Sequence, residues 1–183
     1  LETVFAEKTI IHGALVDVYG VGMLITGEPA VGKSELALDL IERGHQLVAD
    51  DVVQITRLGM NRLEGAPTGR IKHYMEIRGL GIINIRSMFG IRAIRGKKVI
   101  SVVVHLEKFT EDRDYERIGI DGKFREILGV QVPLVELPIL PGKNITVIAE
   151  VIATNQKMRD LGENSAEDFN KNLINAMKDQ ENG

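Results

Sequence analysis

Apolar residues along the chain recur at two different spacings, and the places where one spacing gives way to the other mark its elements. Leu15-Val16-Asp17-Val18-Tyr19 and Gly22-Met23-Leu24-Ile25-Thr26 flank Gly20-Val21, which predicts two strands joined by a tight, glycine-led turn. The second strand runs straight into Gly27. Over residues 33–43, Leu36, Ala37, Leu40 and Ile41 recur at helical spacing, and Gly44 supplies the stop. Gln46-Leu47-Val48-Ala49 predicts a short buried strand, expected beside the one that ends at Gly27, and it delivers Asp50 and Asp51 at its end. Residues 57–70, rich in Gly, Asn and Arg and holding Pro67, keep no period and predict loop, with room for a short hairpin.

Residues 99–106 are a β-branched run of the kind found in central strands. Asp121-Gly122 is a hairpin signal between residues 115–118 and 124–127. Pro133, Pro138 and Pro141 then punctuate short apolar pieces up to Gly142-Lys143. Periodicity alone leaves residues 144–159 open between strand and helix, and their length favours helix. Ser165 predicts the N-cap of a last helix over residues 165–178, with Phe169, Leu173, Ile174 and Met177 as its apolar stripe. Strands and helices built around a strand-loop-helix unit predict an α/β fold.

Composition narrows the picture. At 183 residues and 44% apolar, the chain predicts one domain with its own core. A net charge of -3, with basic residues spread among acidic ones, gives no electrostatic case for nucleic acid. The absence of cysteine excludes disulfides and thiolate metal sites. No apolar run reaches the roughly 18 residues of a membrane span, and Leu1-Glu2-Thr3-Val4 has no basic region leading into an apolar stretch. The expectation is a soluble, cytoplasmic protein with no membrane or nucleic-acid partner. The first residue is not Met, so residues 1–183 are expected to be a single domain cut from a longer protein.

The strongest chemical signal is Gly27-Glu28-Pro29-Ala30-Val31-Gly32-Lys33-Ser34, which fits G-x-x-x-x-G-K-[ST] with a predicted strand before it and a helix after it. In such a loop, glycines let backbone N–H groups turn toward phosphate oxygens and the helix presents its positive end. Lys33 neutralises the outer phosphates, and Ser34 can ligate Mg²⁺. Asp50 and Asp51 supply carboxylates for metal or base work and are expected to project in different directions from extended chain. Met75-Glu76-Ile77-Arg78-Gly79-Leu80-Gly81-Ile82-Ile83-Asn84 puts a carboxylate and a guanidinium beside two glycines. Glu76 can hold metal there, and the glycines allow backbone to approach phosphate. His12 and Arg117 carry little weight as isolated residues.

Taken together, Ile11-His12-Gly13, the phosphate loop, Val48-Ala49-Asp50-Asp51-Val52 and residues 75–84 resemble the HPr kinase/phosphorylase family, in order and spacing, over essentially the whole chain. The resemblance implies a P-loop domain with a mixed central sheet, of the carboxykinase-like kind. It implies phosphorylation of a serine on the phosphocarrier protein HPr from ATP or pyrophosphate with Mg²⁺, in the regulation of bacterial carbon metabolism. It also implies the reverse reaction, in which phosphate attacks phosphoserine and pyrophosphate leaves. Carried over by position, His12, Lys33, Asp51 and Arg117 are catalytic, with Asp51 exchanging the serine proton, and Ser34 and Glu76 are metal ligands. Asp50 keeps no fixed role, a water-mediated metal contact being one reading. Residues 138–143 fall on a segment linked to dephosphorylation, and the family assembles as homohexamers, with residues 165–178 expected to reach HPr or a neighbouring subunit. Family members also carry an N-terminal domain.

The sequence departs from the family where Pro29 and Ala30 stand in place of Ser and Gly: Pro29 has no N–H, and Ala30 disfavours positive φ. Asn84 stands where an acidic residue is common. A GTPase is excluded by two features. Asn170-Lys171-Asn172-Leu173 lacks the Asp of a guanine-reading motif, and the one obvious D-x-x-G, Asp17-Val18-Tyr19-Gly20, precedes the loop. A small-molecule kinase or carboxykinase relative remains the enzymatic rival. A nucleotide-sensing module without turnover is the rival of another class, and Asp51 together with Glu76 speaks against it.

Overall fold

The structure, a computed structural model, describes residues 6–111 and 122–181. In chain order the elements are β1 (Lys8–His12), β2 (Ala14–Val18), β3 (Val21–Gly27), α1 (Lys33–Glu42), β4 (Gln46–Ala49), β5 (Val52–Leu58), β6 (Arg62–Pro67), β7 (Tyr74–Ile77) and β8 (Gly81–Asn84). There follow α2 (Ile85–Phe89), a 3-10 turn (Ile91–Ala93), β9 (Lys98–Val99), β10 (Val102–Lys108), β11 (Phe124–Ile127), β12 (Val130–Ile139) and α3 (Ile145–Glu181).

The central sheet has the order β11-β12-β10-β3-β2-β4. β3, β10 and β12 run parallel, while β2 and β11 are antiparallel to their neighbours, so the sheet is mixed. A second, antiparallel sheet has the order β1-β5-β6-β9.

Alternation along the strands divides the core in two. Val16, Met23, Ile25, Val104 and Leu106 face α1 and α3, meeting Leu36, Ala37, Leu40, Ala149 and Ile152. Leu15, Leu24 and Val103 face the second sheet and meet Val53, Ile55 and Leu63. The result is three layers, helices on sheet on sheet, with side chains of period 2 in the strands and period 3.6 in α1.

The β2–β3 hairpin and α1 form where the pattern predicts them. Tyr19 (φ 53) and Gly20 (φ 84) make the turn, and Gly20 N–H donates to Asp17 Oδ1 at 2.8 Å, which accounts for the D-x-x-G as a turn motif. Buried Glu150 on α3 ties this turn to the end of α1. It accepts from Tyr19 Oη at 3.0 Å, from Arg43 Nη2 at 2.7 Å and faces His45 Nε2 at 2.8 Å. Burial alone would raise the pKa of Glu150, and the bonds from Arg43, His45 and Tyr19 outweigh it and hold it at about 2. The hub anchors α1 and hence the loop that precedes it.

Four expectations are corrected. β4 lies next to β2, so one strand separates it from β3. Residues 57–70 are mostly strand, because β5 and β6 pair antiparallel from Val53↔Pro67 to Leu58↔Arg62. β11 pairs forward with β12 across a turn at Leu128 (φ 48) and Gly129 (φ 77). The hairpin expected at Asp121-Gly122 has its first strand, residues 115–118, outside the described residues. Residues 112–121 lie outside the described residues.

Pro133 and Pro138 do not divide β12. Among the described residues Pro133 pairs only with Phe124 of β11 and Pro138 only with Glu107 of β10, so neither proline has ladder partners on both sides there. α3 runs through Ser165 as one helix, which therefore has no N-cap there. Among the described residues no helix is long and apolar enough to cross a membrane.

Candidate active site

β3 delivers the phosphate loop at the edge where β10 and β12 also end. Gly27 leaves the strand in register with Leu106, at φ 152. A Cβ on Gly27 would lie 2.8 Å from the Leu106 carbonyl oxygen and 2.7 Å from Val31 Cγ1, so the position demands glycine. Val31 N–H closes the loop onto the Glu28 carbonyl at 3.2 Å, and Gly32, at φ 112, opens α1. Ala30 adopts the left-handed region at φ 70.

That conformation costs an alanine on the order of 1 kcal/mol. Ala30→Gly relieves it, and glycine's greater freedom in the unfolded chain takes part of the gain back. Urea denaturation is expected to show the variant equal to or up to about 1 kcal/mol more stable than the parent. A loss beyond that range means that the Ala30 methyl group makes a contact the loop needs.

Lys33 folds back on its own loop, donating from Nζ to the carbonyls of Gly27 at 2.8 Å and Glu28 at 3.0 Å. Those carbonyls hold the ammonium over the cradle, where an incoming phosphate can take it over. Ser34 Oγ donates to the Asp50 carboxylate, 3.0 Å from Oδ2 and 3.1 Å from Oδ1. The first turn of α1 thus reaches the end of β4 although β2 separates their strands.

Asp50 and Asp51 diverge for a different reason from the one expected. Asp51 is in the left-handed region at φ 66, not extended, and the turn is held by Val52 N–H on the Asp50 carbonyl at 2.7 Å and Gly13 N–H on the Asp51 carbonyl at 3.0 Å. The reversal sends the Asp50 side chain under the loop and leaves Asp51 exposed. Burial is the main cause that pushes Asp50 up to about 6. The bonds from Ser34 and from the Asp51 backbone oppose it, and the charges of Asp51 and Glu35 add to it.

His12 ends β1, paired with Val52, which brings its exposed ring beside this turn. Glu76 projects from β7, paired with Ile82 of β8. One open cleft of about 830 Å³ is lined by His12, Lys33, Ser34, Asp50, Asp51 and Glu76 together with the loop backbone. Tyr74, Arg78 and Ile82 line it as well. Their alternation along a hairpin was the available signal, hidden because the glycines at 79 and 81 read as loop. Asn84 caps α2, accepting from Ser87 N–H at 3.1 Å, and donates to Tyr74 Oη at 3.1 Å. Arg117 lies outside the described residues.

Among the described residues no three His, Cys, Asp or Glu side chains form a metal cage of their own. Ser34, Asp50 and Glu76 nevertheless line one cleft with oxygen donors only. That donor set fits Mg²⁺, which binds one or two carboxylates, keeps waters and takes the remaining ligands from substrate phosphates.

Comparison with known proteins places these features in context. Residues 3–173 match the family described as HPr Serine kinase C-terminal domain. The HPr kinase/phosphorylase of Chloroherpeton thalassium is 54% identical over 173 residues, covering 94% of this chain and 51% of that protein. That of Leptospira biflexa is 49% identical, covering 94% and 54%. That of an Exiguobacterium species is 46% identical, covering 99% and 58%. The chain spans about half the length of the curated relatives it matches. The solved structure of the Hpr(Ser) kinase/phosphatase from Coxiella burnetii superposes with a TM-score of 0.78 at 34% identity, covering 88% of this chain and 98% of that one. The α/β class with a mixed sheet is borne out and fits a carboxykinase-like P-loop fold.

Proposed function

The chain belongs to the HPr serine kinase C-terminal domain family, and from that premise we propose that it is a catalytic domain that phosphorylates a serine of HPr from ATP or pyrophosphate and removes that phosphate by phosphorolysis. The observation that carries the reading is the convergence of the phosphate loop, Asp51, Glu76 and His12 on one cleft. In the forward direction the serine oxygen bonds to the terminal phosphorus, the bond to the bridging oxygen breaks so that ADP or, from pyrophosphate, inorganic phosphate leaves, and the serine proton passes to Asp51. In reverse, an oxygen of inorganic phosphate attacks phosphoserine, the serine–phosphorus bond breaks with a proton from Asp51, and pyrophosphate leaves.

The loop N–H groups and Lys33 hold the donor phosphates, Lys33 exchanging the carbonyls of Gly27 and Glu28 for phosphate oxygens. Ser34 and Glu76, with Asp50 bonded to Ser34, would hold Mg²⁺, which when bound neutralises charge on the phosphate oxygens. His12, beside the Asp51 turn, and Arg117 complete the proposed catalytic set, with a homohexamer in the cytoplasm as the working form. The test is mass spectrometry of HPr after incubation with Mg²⁺ and either ATP or pyrophosphate, then with excess phosphate. One phosphate is expected to appear on serine and then to be removed; HPr unmodified throughout would sink the reading.

A further inference from the structure

A second, smaller cavity adjoins the phosphate loop on the side away from Asp50 and Asp51. Its volume is about 330 Å³, and it meets the large cleft at Gly32 and Glu35. Its walls are partly apolar, with Val31 from the loop, Leu36 from α1, Leu106 and Ile139 from the ends of β10 and β12, and Ile145 from the start of α3, and Glu35, Asp39, Lys143, Asn144 and Thr146 add polar groups. In its lining, buried Thr146 donates from Oγ1 to Asp39 Oδ2 at 3.2 Å. A pocket of this size that combines apolar walls with hydrogen-bonding groups suits a flat aromatic heterocycle carrying a sugar.

The sheet topology fixes which side is which. β10 and β12 run parallel to β3 on one flank of the loop, so their C-terminal ends open beside it. β2 and then β4 lie on the other flank, and β4 brings the two aspartates. In-line transfer puts the attacking and leaving oxygens on opposite sides of the phosphorus. With the acceptor serine at Asp51, the leaving group points away from β4 and toward the β10–β12 flank.

We infer that the cavity between the phosphate loop and the start of α3 receives the nucleoside of the phosphate donor; the inference rests on the transfer reaction proposed above. Pyrophosphate has no part that would enter it. The two donors therefore share the loop and differ in this cavity, which makes it the place where the enzyme distinguishes ATP from pyrophosphate. Ile145, on its wall and outside the catalytic set, is the residue through which to fill it.

Ile145→Trp is expected to raise KM for ATP by at least about tenfold while KM for pyrophosphate stays within about twofold. An unchanged KM for ATP, or equal losses with both donors, overturns the inference. Photolabelling of the unaltered protein with an azidoadenosine triphosphate supplies a readout that needs neither a folded variant nor turnover. Label protected by ATP is expected on residues 31–39 or 139–146. Label on residues 74–82 overturns the placement even if HPr is phosphorylated, whereas label in the cavity without transfer to HPr removes only the proposed reaction.

Discussion

Asp51→Asn is expected to slow transfer from ATP to serine by about 10²–10⁴-fold, the range that a positioned general base contributes. Asparagine keeps the shape of the side chain and cannot take the proton. It is also one of the few residues that tolerates the left-handed backbone which Asp51 adopts at φ 66, so the turn held by Gly13 and Val52 should survive. Asp51→Ala would mix the loss of the base with a backbone strain of about 1–2 kcal/mol and is the poorer probe. Phosphorolysis is the reverse of transfer from pyrophosphate, and a catalyst cannot alter that equilibrium, so those two directions must fall by the same factor; transfer from ATP uses the same base and is expected to fall comparably. Nucleotide affinity should be largely retained, because the cradle is made by residues 27–34. Single-turnover rates in both directions with a parallel ATP titration decide the matter. Retained rates would move the base to another cleft residue, His12 being the neighbour through the β1–β5 pairing.

The parts of this site that could be read from the sequence are those whose geometry is set by neighbours along the chain. The β2–β3 turn, the phosphate loop and α1 form one continuous stretch, and each carries its own local cue: glycines at the turns and an apolar stripe at 3.6 spacing. The Glu76 block was legible as a motif, though its hairpin was not, because Gly79 and Gly81 give no sign that one lies in the turn and the other opens β8. What escaped was decided by pairing between distant segments. Nothing in Gln46-Leu47-Val48-Ala49 says that β2 will be its neighbour.

Gly65 looked like loop composition. In β6 a Cβ on it would collide with Leu15 Cδ2 and crowd Val53, so it is glycine because the second sheet packs closely on the first. Leu128 turns a hairpin at φ 48, a conformation leucine seldom adopts, so composition carries no cue to that turn. The role of Asp50 also depended on distance contacts: its bond to Ser34 crosses an intervening strand and joins two motifs that are 16 residues apart.

Asp50→Asn is expected to act in the opposite sense from its neighbour's substitution, stabilising the nucleotide-free protein at neutral pH while weakening Mg²⁺-dependent binding of ATP. Burial beneath the loop pushes Asp50 up to about 6 from the ordinary 3.8. A raised folded-state pKa means that the folded protein holds the proton more tightly than the unfolded chain. The stability from this group is full below about pH 4 and is lost as pH rises through about 6. Two units correspond to on the order of 3 kcal/mol.

Asparagine carries no charge in either state and keeps an oxygen to accept from Ser34 Oγ, so its stability should lack this dependence. Urea unfolding at several pH values between 4 and 8 is therefore expected to show the two proteins converging at the acid end. Toward neutral pH the variant should become the more stable by about 2–3 kcal/mol. A constant difference across the range would mean that burial under the loop does not raise the Asp50 pKa above its unfolded value. Titration of ATP with and without Mg²⁺ supplies the second half: the parent's gain from the metal should shrink in the variant and, in the parent itself, should decline below about pH 6, where the carboxylate takes up its proton. The strain of an ionised carboxylate beneath an empty loop is then the part of the site that a cation and donor phosphates relieve together.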